Sequence, residues 1–202
     1  PFICTLNSWV IIFVDFNNTF WLVFYNLIDN FIFEFFKIIY KVIENQPKDI
    51  IQINKDDDPG TQSAKKRMNS LKRIELSYDA ALDCLTKANP EDLFILNDSD
   101  EIPNLEKVNF GQIKNKILIF KQKMFYYKFN LYYELIPWFG SRACAVRRLV
   151  TPTWLRYIKP KKYSLLRIDS WFSKIKYNSI KIIEDGGWHF SNVKSPKDIE
   201  KK

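Results

Sequence analysis

The sequence holds a single histidine, His189, and three cysteines, Cys4, Cys84 and Cys144, which stand far apart with no CxxC among them. A zinc ribbon and a disulfide framework are thereby excluded, because each needs clustered ligands or paired thiols. A Cys-His nucleophile would have His189 as its only base, and no cysteine lies in a recognisable nucleophile motif. Glycine and proline are also sparse, 5 and 9 of 202 residues, which excludes collagen-like and low-complexity chains. Long uncharged apolar runs are missing too. Asp15, Asp29 and Glu34 interrupt the hydrophobic first 43 residues, so a clean membrane span is not expected there and a buried strand-and-helix segment is. The chain opens at Pro1 rather than Met, which leaves an anchor or signal upstream open. No internal repeat appears at periods of roughly 20 to 50 residues.

What is present is apolar and aromatic: 47% hydrophobic and 16% aromatic residues, enough to bury a core, in a length that fits a single domain over residues 1–202. The charge is uneven. Residues 1–43 carry a net −1, residues 44–103 a net −5 and residues 104–202 a net +14. That basic half suits a polyanion, an anionic membrane face or a phosphate-bearing small substrate, and charge alone does not choose among them. A solvated lysine-rich surface accounts for it equally well.

Along the chain, Ile50-Ile51-Gln52-Ile53 reads as a short strand, Lys55 to Gly60 as a polar turn and residues 60–69 as loop. Apolar positions at Leu71, Ile74, Tyr78, Ala81, Leu82 and Leu85 follow helical spacing, predicting a helix from Asn69 to Lys87 that Asn89-Pro90 ends. Leu93-Phe94-Ile95-Leu96 is wholly apolar, as a strand covered on both faces is. Further strands are expected within Lys116–Tyr133, Lys162–Ile168, Ser179–Ile183 and Trp188–Phe190.

The densest chemistry is Asn97-Asp98-Ser99-Asp100-Glu101-Ile102-Pro103, directly after the apolar strand. Carboxylates this close repel one another, and a divalent cation with hard oxygen preferences, Mn²⁺ or Mg²⁺, would neutralise them. In open α/β sheets ligands gather beyond the carboxyl ends of strands, where Asp98 and Asp100 fall. A metal held by one or two carboxylates completes its shell with water and substrate phosphates, so a nucleotide-diphosphate site is expected, with Asp98 and Asp100 as metal residues. A solvated turn capped by Asp98 or Ser99 is the plainer alternative. Arg142, Arg147, Arg148 and Arg167 are candidate phosphate partners, because guanidinium forks match phosphate oxygens. In Glu184-Asp185-Gly186-Gly187-Trp188-His189-Phe190-Ser191 the paired glycines would admit a ligand close to the backbone. Trp188 could stack on a sugar or base and His189 could meet a metal or phosphate; both could equally be packed in the core.

The Asp98-Ser99-Asp100-Glu101-Ile102-Pro103 string, with Gly187-Trp188-His189 later, resembles the D-x-D-E-I-P and G-W-H signatures of the family 17 glycosyltransferases. Phe125-Tyr126-Tyr127 and Trp138-Phe139-Gly140 are similar to that family's aromatic segment, and Ile28-Asp29-Asn30-Phe31-Ile32-Phe33-Glu34 resembles its first acidic strand. The resemblance implies an α/β fold: a single GT-A-like domain with a mixed, mainly parallel central sheet flanked by helices. It also implies transfer of a sugar, N-acetylglucosamine in animal members, from a UDP-sugar donor to a glycan or glycoprotein acceptor, with Mn²⁺ or Mg²⁺ bound through Asp98 and Asp100. Transfer with inversion needs a carboxylate base, for which Glu101, Glu184 and Asp185 stand open. Trp188, His189, Arg142 and Arg147 are then expected to bind the donor or substrate. A eukaryotic member would work in the Golgi, attached to the membrane through a segment not in this chain, and a bacterial or viral one in the cytoplasm. The other readings are a basic nucleic-acid-binding module, which the paired motifs disfavour, and an inactive relative.

Overall fold

The apolar run at Leu93 is the pivot of the architecture. In the computed structural model the described residues are 8–14, 19–28, 31–33, 38–42, 46–109, 116–164, 166–177, 179–195 and 197–198, and before residue 46 only the backbone of strands is described. Among the described residues ten strands form one sheet: β1 (Ser8–Val14), β2 (Thr19–Ile28), β3 (Phe31–Phe33), β4 (Ile38–Val42), β5 (Leu93–Asp98), β6 (Glu101–Pro103), β7 (Ile117–Tyr126), β8 (Tyr132–Ala145), β9 (Ile180–Ile183) and β10 (Gly187–Ser191). Their order is β3-β2-β1-β5-β8-β7-β10-β6, with β4 also on β2 and β9 on β7. The helices are α1 (Pro59–Asp79), α2 (Pro152–Tyr157) and α3 (Ile168–Trp171).

The fold is therefore mixed α/β, as expected, but the sheet is not mainly parallel. Only β1·β5, β7·β10 and β7·β9 run parallel, and the other six pairings are antiparallel. The cause is local: β7 and β8 are joined by a short turn, which permits only an antiparallel pair, whereas parallel neighbours need a longer crossover. The described part of the first 43 residues is likewise strand rather than strand and helix, consistent with its β-branched and aromatic runs. Asp29 and Glu34 lie outside the described residues. No helix among the described residues is long and apolar enough to cross a membrane.

β5 lies between β1 and β8 and is buried on both faces. Phe94 and Leu96 pack with Tyr78, Ile117, Ile119, Cys144, Leu155 and Ile158, while Ile95 packs with Leu118, Phe120, Ala143 and Ile183 on the other side. Helix α1 begins ten residues ahead of its expected start, in what reads as turn and loop. Asp58 caps it by accepting from the N–H groups of Gly60 and Thr61, and Pro59 fits the first turn, where no N–H is needed. The first turns are polar and mostly exposed, so they show no apolar stripe. The helix also ends sooner: residues 80–87 continue as a 3₁₀ helix.

Ile50–Ile53 forms no strand. Asn69 on α1 satisfies both backbone groups of Ile51, accepting from its N–H and donating to its C=O, each at 2.8 Å, so that no neighbouring strand is needed. The expected strand at Lys162–Ile168 is also absent among the described residues of that range, where Leu166 and Ile168 face solvent.

Candidate functional site

The two strings singled out in the sequence are hydrogen-bonded neighbours. β5 ends at Asp98, the chain turns through Ser99 and Asp100, and β6 re-enters the sheet antiparallel to β10. The register sets Gly187 opposite Pro103, Trp188 opposite Ile102 and His189 opposite Glu101. Phe190 N–H donates to the Asp100 carbonyl at 2.9 Å, and Asn104 N–H to that of Gly186 at 2.9 Å.

This pairing explains the glycines, and it corrects the expectation that they admit a ligand. Gly187 has φ +121°, and a Cβ there would lie 2.0 Å from the Ile102 carbonyl oxygen. At Gly186 a Cβ would lie 2.7 Å from the Ile183 carbonyl. The missing side chains make room for the protein's own strands.

Glu101 is fully buried and fully engaged. Its carboxylate accepts from Arg156 Nη2 at 2.9 Å and Nη1 at 3.2 Å, from Trp138 Nε1 at 2.8 Å, from Ser141 Oγ at 3.4 Å and from the Asp98 N–H at 3.2 Å. Burial alone would raise its pKa, but the charge and hydrogen bonds of Arg156, with that of Trp138, carry it below the usual carboxylate range. Asp98 is held from both sides, Oδ1 by the Tyr78 hydroxyl and Oδ2 by Arg156 Nη2. Burial pushes Asp98 up to about 6, against the pull of Arg156 and with reinforcement from the Glu101 charge.

Arg156 is the hub of this cluster. Helix α2 carries it, and that helix is fixed by Thr151 Oγ1 accepting from Trp154 N–H, by Pro152 in its first turn and by Thr153 N–H donating to Asp79 Oδ1 at 3.0 Å. Burial disfavours its charge, but Glu101 and Asp98 outweigh that and keep the guanidinium charged. Arg156 Nη1 also donates to the Gly140 carbonyl at 2.9 Å, and so does Arg142 Nη1 at 3.0 Å. A Cβ at Gly140 would sit 2.1 Å from Gln122 Oε1 and 2.6 Å from Glu101 Oε1, so this position tolerates only glycine without repacking. Arg142 is buried beside Arg156, and burial followed by that like charge lowers it to about 10.

Asp100 faces the other way. Its side chain is 30% exposed, its Oδ1 is shielded from solvent with no hydrogen-bond partner, and His189 Nδ1 lies 3.6 Å from it, also without a partner. Burial raises the Asp100 carboxyl, opposed by His189, and burial lowers the pKa of His189, opposed by Asp100. His189 stacks flat on Trp138, with centroids 4.3 Å apart and planes 12° apart.

The remaining predicted residues lie elsewhere. Glu184 and Asp185 form the β9–β10 turn, pair with Lys121 at 2.8 Å and Lys123 at 2.9 Å, and line a cleft of about 360 Å³ with Tyr132, Tyr133 and Ile136. Neither Asp98 nor Asp100 lines that cleft. Trp188 is half-exposed beside Lys123, its register partner in β7. Arg147 pairs with Glu91 at 2.6 Å, at the opposite end of β5 from Asp98; Arg148 donates to Ser179 and Arg167 to Asp169. Of the four expected arginines only Arg142 joins the carboxylates. The arginine that does most, Arg156, follows a Thr-Pro helix start, a signal that places α2 but not the target of its side chain.

Among the described residues no three His, Cys, Asp or Glu side chains gather around a metal position. The fit to a divalent cation is accordingly divided. Asp98 has both oxygens engaged, whereas Asp100 Oδ1 has no hydrogen-bond partner but is shielded from solvent, so of the two only Asp100 keeps an uncommitted oxygen for a cation. Comparison with known protein families, with curated proteins and with solved structures finds no match to this chain.

Proposed function

We propose that the chain is a metal-dependent, inverting glycosyltransferase of GT-A-like design that moves a sugar, N-acetylglucosamine by resemblance, from a UDP-sugar to a glycan acceptor. The observation that carries this reading is the β6–β10 pairing, which joins the Asp-x-Asp-Glu-Ile-Pro and Gly-Trp-His strings beyond the carboxyl end of β5. Strings so far apart in sequence become one site, with Asp100 and His189 side by side.

A bound Mn²⁺ or Mg²⁺ would neutralise the diphosphate leaving group. Asp100 is the residue assigned to hold it. Asp98 and Glu101 act through Arg156, positioning the turn that carries Asp100 and leaving Glu101 no free oxygen with which to serve as base. Arg142, buried and donating to the Gly140 carbonyl, adds its positive charge to the cluster around Arg156. Of the base candidates, Glu184 and Asp185 keep exposed carboxylates, on a cleft that Asp100 does not line. For either to serve, an acceptor seated in that cleft would have to reach the donor held at Asp100; the carboxylate would then take the acceptor hydroxyl proton as that oxygen attacks the anomeric carbon, while the carbon–oxygen bond to UDP breaks and UDP leaves with the electron pair.

One observation favours an inactive relative: Asp98 is committed to Tyr78 and Arg156 rather than free for a ligand. Calorimetric titration of UDP with Mn²⁺, repeated after chelation, decides between the two. Heat of binding that needs the metal and disappears in Asp100→Asn supports the transferase. No binding by the folded protein in either condition overturns it and leaves the inactive relative.

A further inference from the structure

We propose that the lobe around α3 seats on an anionic membrane surface, an inference independent of the transferase reading. Residues 159–176 leave the body through a closed neck: Lys159 N–H donates to the Ile175 carbonyl at 2.9 Å, and Trp154 Nε1 to the Lys174 carbonyl at 2.7 Å. Beyond that neck the segment presents large apolar side chains to solvent, with Leu166 90% exposed, Phe172 84%, Ile168 67% and Trp171 67%. An apolar tip of this kind marks an interaction surface, because single exposed hydrophobics are ordinary but a cluster is not.

The accompanying charges identify the partner. The same segment holds Lys159, Lys161, Lys162, Arg167, Lys174 and Lys176 and carries a net +5. Its one acid, Asp169, is occupied by Arg167 at 2.9 Å and Lys176 at 2.8 Å. Exposed Trp, Phe and aliphatic side chains in a segment this rich in lysine and arginine suit the boundary between anionic headgroups and acyl chains, where each part meets its own medium.

A nucleic acid would satisfy the lysines but not the tip. Leu166 and Ile168 have no ring on which a base could stack. Trp171 and Phe172 offer rings, but the aliphatic half of the tip does not, and Tyr163 already has Arg167 and Lys176 over it, each 5.7 Å from its centroid.

The experiment is sedimentation with phosphatidylcholine vesicles, with and without phosphatidylglycerol, using the wild-type chain and the double variant Leu166→Ser, Phe172→Ser. Both substituted side chains are exposed, so an unchanged thermal midpoint serves as the control for folding. The expected result is binding to phosphatidylglycerol vesicles at least about tenfold above phosphatidylcholine alone, falling about tenfold in the double variant. The proposal is overturned by no binding to anionic vesicles or by binding that the double variant retains. It is equally overturned if a single-stranded oligonucleotide binds more tightly than the vesicles and loses that binding in the same variant, which would make the lobe a nucleic-acid surface.

Discussion

Two pairs of acidic residues occupy opposite situations in this molecule. Asp98 and Glu101 are buried and share one arginine, Arg156, while Glu184 and Asp185 stand in solvent with a lysine each. In the first pair, Glu101 is sealed from water, Asp98 keeps only 17% of its side chain exposed, and one guanidinium cannot fully serve two carboxylates, so their proton affinities diverge: Glu101 goes below the ordinary range and Asp98 rises to about 6. In the exposed pair, water screens the lysines and the carboxylates remain free to turn toward an incoming ligand. The first pair organises the β5–β6 turn, and only the second stands open to solvent.

The sharpest way to break the contrast is Arg156→Met. It leaves Asp98 and Glu101 buried beside each other without their shared cation, and a buried pair broken from one side costs about 3–5 kcal/mol. Urea unfolding is expected to show that loss. The matching change on the surface, Lys121→Met, removes the partner of Glu184 and is expected to leave the urea midpoint where it was.

Next in size is Gly187→Ala. The methyl group would enter the Ile102 carbonyl at a backbone angle that side chains rarely adopt, and such strain costs about 1–3 kcal/mol before any displacement of β6. Because β6 carries Glu101 and follows directly on Asp100, this variant is expected to weaken the proposed UDP binding along with stability. Calorimetry at a temperature where the variant remains folded separates the two effects.

How much of this was legible in the sequence follows from how local each determinant is. The apolar run of β5, the Asp-x-Asp after it and the Gly-Gly before Trp188 were all readable, since each is written within a few adjacent residues. The start of α1 was also written, in Asp58-Pro59, but its polar first turns gave no periodicity to confirm it. What could not be read is long-range. Nothing in the neighbourhood of Arg156 tells that it crosses to Asp98 and Glu101, or that Tyr78, spaced as a core residue, turns its hydroxyl to Asp98. The glycines were legible as necessary but not as to purpose, because a ligand and a neighbouring strand demand the same absence of a side chain.

Asp98→Asn sharpens the comparison by pH. The folded state holds the Asp98 proton more tightly than the unfolded chain does, about 6 against an ordinary 3.8. Its contribution to stability is therefore complete below about pH 4 and lost as pH rises through 6. Glu101 acts in the opposite sense, its contribution lost on acidification, so the informative quantity is the difference between wild type and variant. Wild type is expected to lose stability relative to Asp98→Asn between about pH 4 and 6, by on the order of 2 kcal/mol. Urea midpoints taken across that range give the difference directly, and a flat difference would mean that Asp98 is already ionised at pH 4.

The smallest expected change in stability belongs to Glu184→Gln and Asp185→Asn, and these two variants carry the most information about chemistry. Both side chains are exposed, so neither substitution is expected to move the thermal midpoint. If one of the two carboxylates accepts the acceptor proton, its amide should lower kcat about 10²–10⁴-fold with little effect on UDP affinity, because proton transfer belongs to the chemical step rather than to donor binding. The other amide should change KM at most, through the shape of the cleft beside Tyr132 and Tyr133. Asp185 has φ +50°, a conformation that asparagine also adopts readily, so its amide variant tests charge without disturbing the turn. If both variants kept full kcat, the proton would have to go to a group outside this turn, and the exposed acidic pair would be reduced to partners of Lys121 and Lys123.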